Sequence, residues 1–503
     1  MEIDFLNGES YFRFFKEISS IPRGSGNTEK IQKYLIKFAE QRNLDYACDE
    51  IGNVVIYKDK SADSKSNDPV ILQGHMDMVT VKTKDSDKDL ENEGLTLYVD
   101  GDWIKAKETS LGGDDGIAVS YMLSILDSDK LTHPPIEALF TVDEETGMLG
   151  AKDLDMSLLR GKKLINMDSE EDGIVYVSCA GGVDVKVAAE SEMERIKGEL
   201  VSFTIGGLTG GHSGMEIDKG RANAAVITVN ILNDMIDAEL KPQLVSIHSG
   251  EKDNAIATDG ITNLIIPESV KDAIGADALK NKLSAIADKY IAEYKETDPE
   301  MHIDFNYDDV QSKRVYTSQA TVRYVHCICE LPNGVISVSE ELDNLPETSL
   351  NLGIMRVNET SASASYLVRS NSDDGKKNLV NDMKKTAKKH HLKTYLSNDY
   401  QAWEYREDSE IRDIIVDSFK EVAGEKPLVK SIHAGLECGI LISKRHSLDC
   451  VSIGPEIQDV HTYNEKMSII SAKKNYMVIK RALEKLKKKK KKKNFFNKKL
   501  KIF

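Results

Sequence analysis

The chain has 503 residues, with 67 Lys and Arg against 83 Asp and Glu, a formal charge of −16. That length suits several domains at about 150 residues each, and an acidic chain is a poor general binder of nucleic acid. Six cysteines, none in a CxxC pair, exclude a disulfide scaffold. No run approaches the roughly 18 apolar residues of a membrane helix, and the acidic N-terminus lacks the basic start of a signal peptide, so a cytoplasmic protein is expected.

The first 195 residues alternate helix and strand patterns. Residues 27–43 carry apolar side chains at helical spacing, and 115–128 read as a second helix. GNVVIYK (52–58), PVILQG (69–74), IEALFTV (136–142) and KKLINM (162–167) read as buried strands. Such alternation predicts an α/β domain around a parallel or mixed sheet. The middle differs. From 198 to 395 the pattern predicts two α+β units in tandem. They contain a helix at 221–238, strands at QLVSIHSG, NAIATDG and ITNLIIP, and helices at 276–295, near 314–324 and at 375–391. The α/β signature then returns, with helices at 410–424 and 471–486 around a strand at 448–454. The economical reading is one α/β domain, 1–197 and 396–486, split by an inserted α+β domain at 198–395. The lysine-rich segment 487–503 reads as a disordered tail rather than a nucleic-acid or membrane tether.

Four motifs fall just after predicted strands: Gln73-Gly74-His75-Met76-Asp77, Leu111-Gly112-Gly113-Asp114-Asp115-Gly116, Val142-Asp143-Glu144-Glu145-Thr146-Gly147 and Asn166-Met167-Asp168-Ser169-Glu170. A fifth, Asp459-Val460-His461, comes far downstream. Singly, each has an ordinary reading as a turn, a cap or a solvated acidic surface. Together they fit a rule of open α/β sheets, whose ligands gather at the carboxyl ends of the strands. Imidazole with carboxylate suits zinc, cobalt or manganese. Two histidines and three carboxylates are too many for one catalytic zinc, and suit two ions if one carboxylate bridges. Asp77, two residues from His75, is placed to orient its imidazole. Of Glu144 and Glu145, one can ligate while the other acts as a base.

HMDMV, LGGDDGIA, DEETGMLGA, NMDSE and GGHSGMEIDKGRANA together resemble the di-zinc peptidases of the aminoacylase and carboxypeptidase clan. IHAGLECG and DVHTYNE narrow the resemblance to the aminoacyl-histidine dipeptidases, the cytosol non-specific dipeptidases, over essentially residues 1–486. The resemblance implies a sheet-centred di-metal peptidase domain with a large inserted lid. It implies metal ligands at His75, Asp114, Glu145, Asp168 and His461, with Asp114 bridging. Asp77 becomes the orienting aspartate, Glu144 the general base and His212 a lid histidine that stabilises the tetrahedral intermediate. Asn254, Arg369 and Gly435 match positions that hold the substrate's polar and carboxylate groups. Two divalent ions, zinc first with cobalt or manganese as alternatives, and a small peptide substrate follow. A homodimer is possible, since relatives use the lid for dimer contacts or enlarge it to replace them. The resemblance also implies a cis peptide just after Asp114. An N-acyl-amino-acid deacylase or a tripeptidase is the alternative on the same scaffold.

Overall fold

The computed structural model describes residues 8–339 and 345–487. Its contacts divide the chain into two compact units. The first takes in the described residues up to Val177, Arg406–Lys430 and those from Ile440 onward; the second takes in Ser178–Tyr405 and Ser431–Gly439.

The first unit is built on an eight-stranded mixed sheet. Its strands run in the order Tyr46–Cys48, Val54–Lys58, Ile136–Thr141, Val70–His75, Lys163–Asn166, Asp449–Ser452, Ile174–Cys179 and Leu428–Ile432. Val70–His75 and Ile136–Thr141 are buried at every position, as strands covered on both faces should be, Gln73, His75 and Glu137 included. Register decides where their loops begin. His75 pairs with Thr141, and Gln73 pairs with Asn166, all in parallel. The carboxyl ends of these neighbouring strands are therefore level, and the loops beyond them open at one edge.

Helix Gly113–Asp127 is buried from Gly113 to Leu126. Its sequence is apolar nearly all round, which is the pattern of a core helix rather than a surface one. Tyr121 on this helix packs its ring 5.4 Å from both Tyr11 and Tyr476, drawn from helices Ser10–Ser19 and Ile469–Leu486. Chain segments far apart in sequence thus lock the helix whose first turn carries Asp114.

The second unit carries a nine-stranded sheet, antiparallel at every recorded pairing, backed by helices Ala224–Asp237, Ala276–Glu293, Ser318–Glu330 and Asp373–Lys389. The two tandem α+β units read from the sequence are halves of this one sheet. They join where Ile247, His248 and Ser249 pair with Val357, Arg356 and Met355. The expected boundary at 197/198 falls inside strand Met193–Gly206, and that at 395/396 inside strand Lys393–Tyr400. Strand Gly181–Ala189 pairs with Ala362–Ser370 and Lys393–Tyr400, so residues 181–197 and 396–400 go with the second sheet. Two local readings also change. NAIATDG is not a strand: strand Gly260–Pro267 begins at its last residue. Strand His302–Tyr316 runs through 314–316, and the next helix starts after Thr317, whose Oγ1 accepts the Ala320 N–H at 3.1 Å. Beyond Lys487 the expected tail lies outside the described residues.

Candidate metal centre

The parallel register of the first sheet brings three loops together. His75 ends one strand, Asp143–Glu145 follow the next, and Asp168 follows Lys163–Asn166. Asp114 comes from the start of the buried helix, and the Asp114–Asp115 peptide is cis, as the resemblance implies. His461 comes from the loop before strand Lys466–Ser468.

His75 Nε2 lies 2.9 Å from Asp114 Oδ1 and 3.4 Å from Asp168 Oδ1. His461 Nε2 lies 3.1 Å from the other oxygen of Asp114 and 3.0 Å from Glu145 Oε2. Asp114 thus faces two groups of donors, one through each oxygen. His75, Asp114 and Glu145 offer atoms all within 4.8 Å of one another. His75, Asp115 and Asp168 form a second such triad, although Asp115 Oδ2 already accepts the His75 backbone N–H at 3.2 Å. His75 is fully buried and the carboxylates of Asp114, Glu145 and Asp168 nearly so, while His461 is half exposed.

The electrostatics are those of a cation site. Burial alone would keep the His75 imidazole neutral, but the Asp168 charge and the carboxylates of Asp114, Asp168 and Asp77 hold its pKa well above the usual value. Hydrogen bonds from the His461 ring to the carboxylates of Asp114 and Glu145 raise its pKa to about 11. Burial, then the Asp114 and Glu145 charges against the opposing His75, push Asp168 up to about 7. Burial and the charges of Asp114 and Asp168 push Glu170 up to about 8. Buried carboxylates at this density need paired charges or metal ions. Donors about 2.0–2.2 Å from a tetrahedral ion sit roughly 3.3–3.6 Å apart, close to the 3.0–3.4 Å spacings found here. Glu145 Oε1 is buried with no hydrogen-bond donor on it. The residues therefore fit a metal group.

A supporting layer surrounds them. Asp77 Oδ1 lies 3.4 Å from His75 Nδ1. Asp77 also accepts the Ser25 hydroxyl at 2.8 Å and the backbone N–H groups of Glu144 at 3.1 Å and Glu145 at 3.4 Å. Sequence reasoning misses Arg23, Ser25, Asp115, Glu170 and Glu465. Glu465 stands inside a motif that carries the resemblance, while Arg23 sits in a plain IPRGSG run with no spacing signal.

His212, Asn254, Arg369 and Gly435 belong to the second unit. His212 Nδ1 accepts the N–H groups of Gly214 at 3.1 Å and Met215 at 2.9 Å, which places the ring proton on Nε2. Asn254 accepts the Ser213 N–H through its backbone oxygen at 3.0 Å and keeps its side chain exposed. Arg369 is 5% exposed; Nη1 donates to Tyr400 Oη at 3.2 Å, and Nε has no acceptor among the described residues. Gly214 is where these groups meet. A Cβ there would lie 3.1 Å from Arg369 Nε, 3.1 Å from the His212 ring and 2.1 Å from the carbonyl oxygen of His433, two residues before Gly435. His433 itself bridges Ser349 Oγ at 2.8 Å and Asn371 Oδ1 at 2.9 Å.

The profile of peptidase family M20/M25/M40 matches residues 71–485. The chain belongs to this family. It is 32% identical over 472 residues to the cytosol non-specific dipeptidase of Escherichia coli (strain K12), covering 93% of this chain and 96% of that one. The aminoacylhistidine dipeptidase of Vibrio alginolyticus superposes with a TM-score of 0.84 at 32% identity, over 96% of this chain and 98% of that one. The aminopeptidase PepT of Bacillus cereus, at 15% identity and a TM-score of 0.56 over 95% and 99% of the two chains, shares the fold. The protein is thus a metallopeptidase, a hydrolase of the peptide bond. No described helix is long and apolar enough to cross a membrane.

Proposed function

We propose that this chain is a cytoplasmic dipeptidase that hydrolyses Xaa-His and other dipeptides, with the first unit as its catalytic domain and the second as a lid. The carrying observation is the Asp114 carboxylate, one oxygen facing His75 and the other His461, with Asp168 and Glu145 completing the two groups. The substrate class rests on the dipeptidase relatives of 32% identity over nearly the whole chain.

In this reading His75, Asp114 and Asp168 would hold one divalent ion, and Asp114, Glu145 and His461 a second, zinc first with cobalt or manganese as substitutes. Such ions supply Lewis acidity and a water acidified toward neutrality. Glu144 takes the proton of the attacking water and returns it to the leaving amine. Asp77 holds both the His75 ring and the backbone of Glu144. His212, with its proton on Nε2, donates to the oxyanion. Arg369 takes the substrate carboxylate in a charge-assisted contact, with Asn254 and Gly435 on its polar groups. A lid that captures a free carboxylate measures substrate length.

The test is a substrate panel on metal-reconstituted enzyme: dipeptides including β-alanyl-histidine, tripeptides and N-acyl amino acids. Dipeptides are expected to be cleaved fastest with each of zinc, cobalt and manganese compared. Preference for acyl amino acids or tripeptides would overturn the dipeptidase reading in favour of the deacylase or tripeptidase alternative.

A further inference from the structure

Asp114 can face two ions only if the turn that carries it is held. That turn, Leu111–Asp114, has few side chains with which to hold itself. Gly112 is left-handed, with φ 61°, and Gly113 opens the helix. All four backbone N–H groups of the turn go to one carboxylate. Glu465 Oε2 accepts the N–H groups of Leu111 at 2.7 Å and Gly112 at 2.9 Å; Oε1 accepts those of Gly113 at 2.8 Å and Asp114 at 3.4 Å. Glu465 is 3% exposed.

The other side of the same turn is held by Arg23, which is 1% exposed. Its Nη1 donates to the carbonyls of Met76 at 3.2 Å and Asp77 at 2.8 Å, and its Nη2 donates to that of Gly112. A side chain at Gly112 would displace its neighbours: a Cβ would lie 2.6 Å from Arg23 Nη2 and 2.6 Å from Met78 Sδ. Burial, then the Asp114 charge, push the Glu465 carboxyl up to about 7 against the pull of the backbone N–H groups.

We propose that Glu465, together with Arg23, is a positioning residue that sets the aim of the Asp114 carboxylate between its two groups of metal ligands. This rests on the reading of Asp114 as the bridging ligand. Three supports are tied together. Arg23 links the backbone just after His75 to Gly112, and Glu465 links Leu111–Asp114 to the loop of His461, four residues before it in the chain. A brace needed only for stability would not have to join the segments of three separate ligands. Both oxygens of Glu465 accept, so a glutamine there would turn an NH₂ group toward two N–H donors while keeping its volume.

Cobalt(II) titration of metal-free enzyme, followed by visible absorption, tests this with Glu465→Gln and Asp114→Asn in parallel. Thermal unfolding of each metal-free variant serves as the control for folding. Residues behind metal ligands contribute about 10–100-fold to affinity. Glu465→Gln is expected to weaken binding of at least one cobalt ion by about tenfold or more, with Asp114→Asn weaker still. Wild-type cobalt affinity in Glu465→Gln, with affinity lost in Asp114→Asn, would overturn the brace and leave the ligand reading intact. Wild-type affinity in Asp114→Asn would overturn the ligand reading and the brace with it. If Glu465→Gln does not fold, Glu465→Asp, which withdraws the carboxylate by one C–C bond of about 1.5 Å, is read by the same outcomes.

Discussion

Asp77 accepts the backbone N–H of Glu144 at 3.1 Å while lying 3.4 Å from the ring of His75. One buried carboxylate thereby sets both an imidazole that faces the candidate ions and the turn that carries the candidate base. Asp77→Ala should therefore disturb two functions together. Metal affinity is expected to fall about 10–100-fold, the usual effect of losing a partner behind a ligand, and turnover should fall even at saturating metal. Chelator competition and rates at high zinc measure the two separately. Full turnover at saturating metal would confine Asp77 to the imidazole.

Glu144 is expected to matter for rate and not for metal content. Glu144→Ala should lose at least about a hundredfold in kcat, in line with general acid–base contributions of roughly 10²–10⁴. Elemental analysis should find the wild-type metal content. A variant with most of its activity would remove Glu144 from the reaction.

Removing metal should destabilise the first unit as well as inactivate it. Without cations, the carboxylates around His75 repel one another in a buried site, and Asp168 is already driven up to about 7. Ligand linkage amounts to about 2.7 kcal/mol at free metal a hundredfold above Kd. Calorimetry of chelated and zinc-loaded protein should show unfolding at higher temperature in the loaded form. Coincident transitions would argue against a site at His75, Asp114 and Asp168.

Arg369 should report the free carboxylate of the substrate. Arg369→Gln is expected to raise KM for dipeptides by about tenfold or more, through loss of a charge-assisted bond of roughly 1.5–3 kcal/mol. C-terminally amidated dipeptides should change little between wild type and variant. An equal rise for both substrate types would place Arg369 in a structural role.

His433 offers a pH test away from the metal ligands. Burial, then the charges of Arg369 and His212, lower its pKa to about 3. In the unfolded chain the ring titrates near 6.5. Between those values the unfolded chain takes up a proton that the folded chain refuses. Stability is therefore intact above about pH 6.5 and lost progressively as pH falls toward 3. His433→Gln should flatten this part of the curve of thermal midpoint against pH. An unchanged slope from pH 7 to 5 would show that His433 does not carry it.

The ligand loops are legible in the sequence because their motifs sit where parallel strands end, and the pairing of His75 with Thr141 levels those ends. The roles of Arg23 and Glu465 are not legible, although Glu465 ends the DVHTYNE motif, because both act on backbone groups, which leave no spacing in the sequence. The second unit reads as two because each half has its own helices, and the three-residue pairing of Ile247–Ser249 with Met355–Val357 that fuses them carries no motif. The boundaries slip for a related reason: Gly181–Ala189 reads as an ordinary α/β strand until its antiparallel partners are known.

The second unit is not contiguous in the chain. Segment Ser431–Gly439 returns to it after Arg406–Lys430 has already rejoined the first unit. Within that segment His433 supplies the partner of Ser349 and Asn371, and the carbonyls of Ile432 and Ala434 accept the Ala180 N–H at 3.1 Å each. A fragment cut as 178–405 would expose those groups to water and lose a strand-end anchor. Dissection of this enzyme into separately expressed parts would therefore require a circularly permuted or spliced chain that carries 431–439 along, and replacing the second unit would require two grafts instead of one.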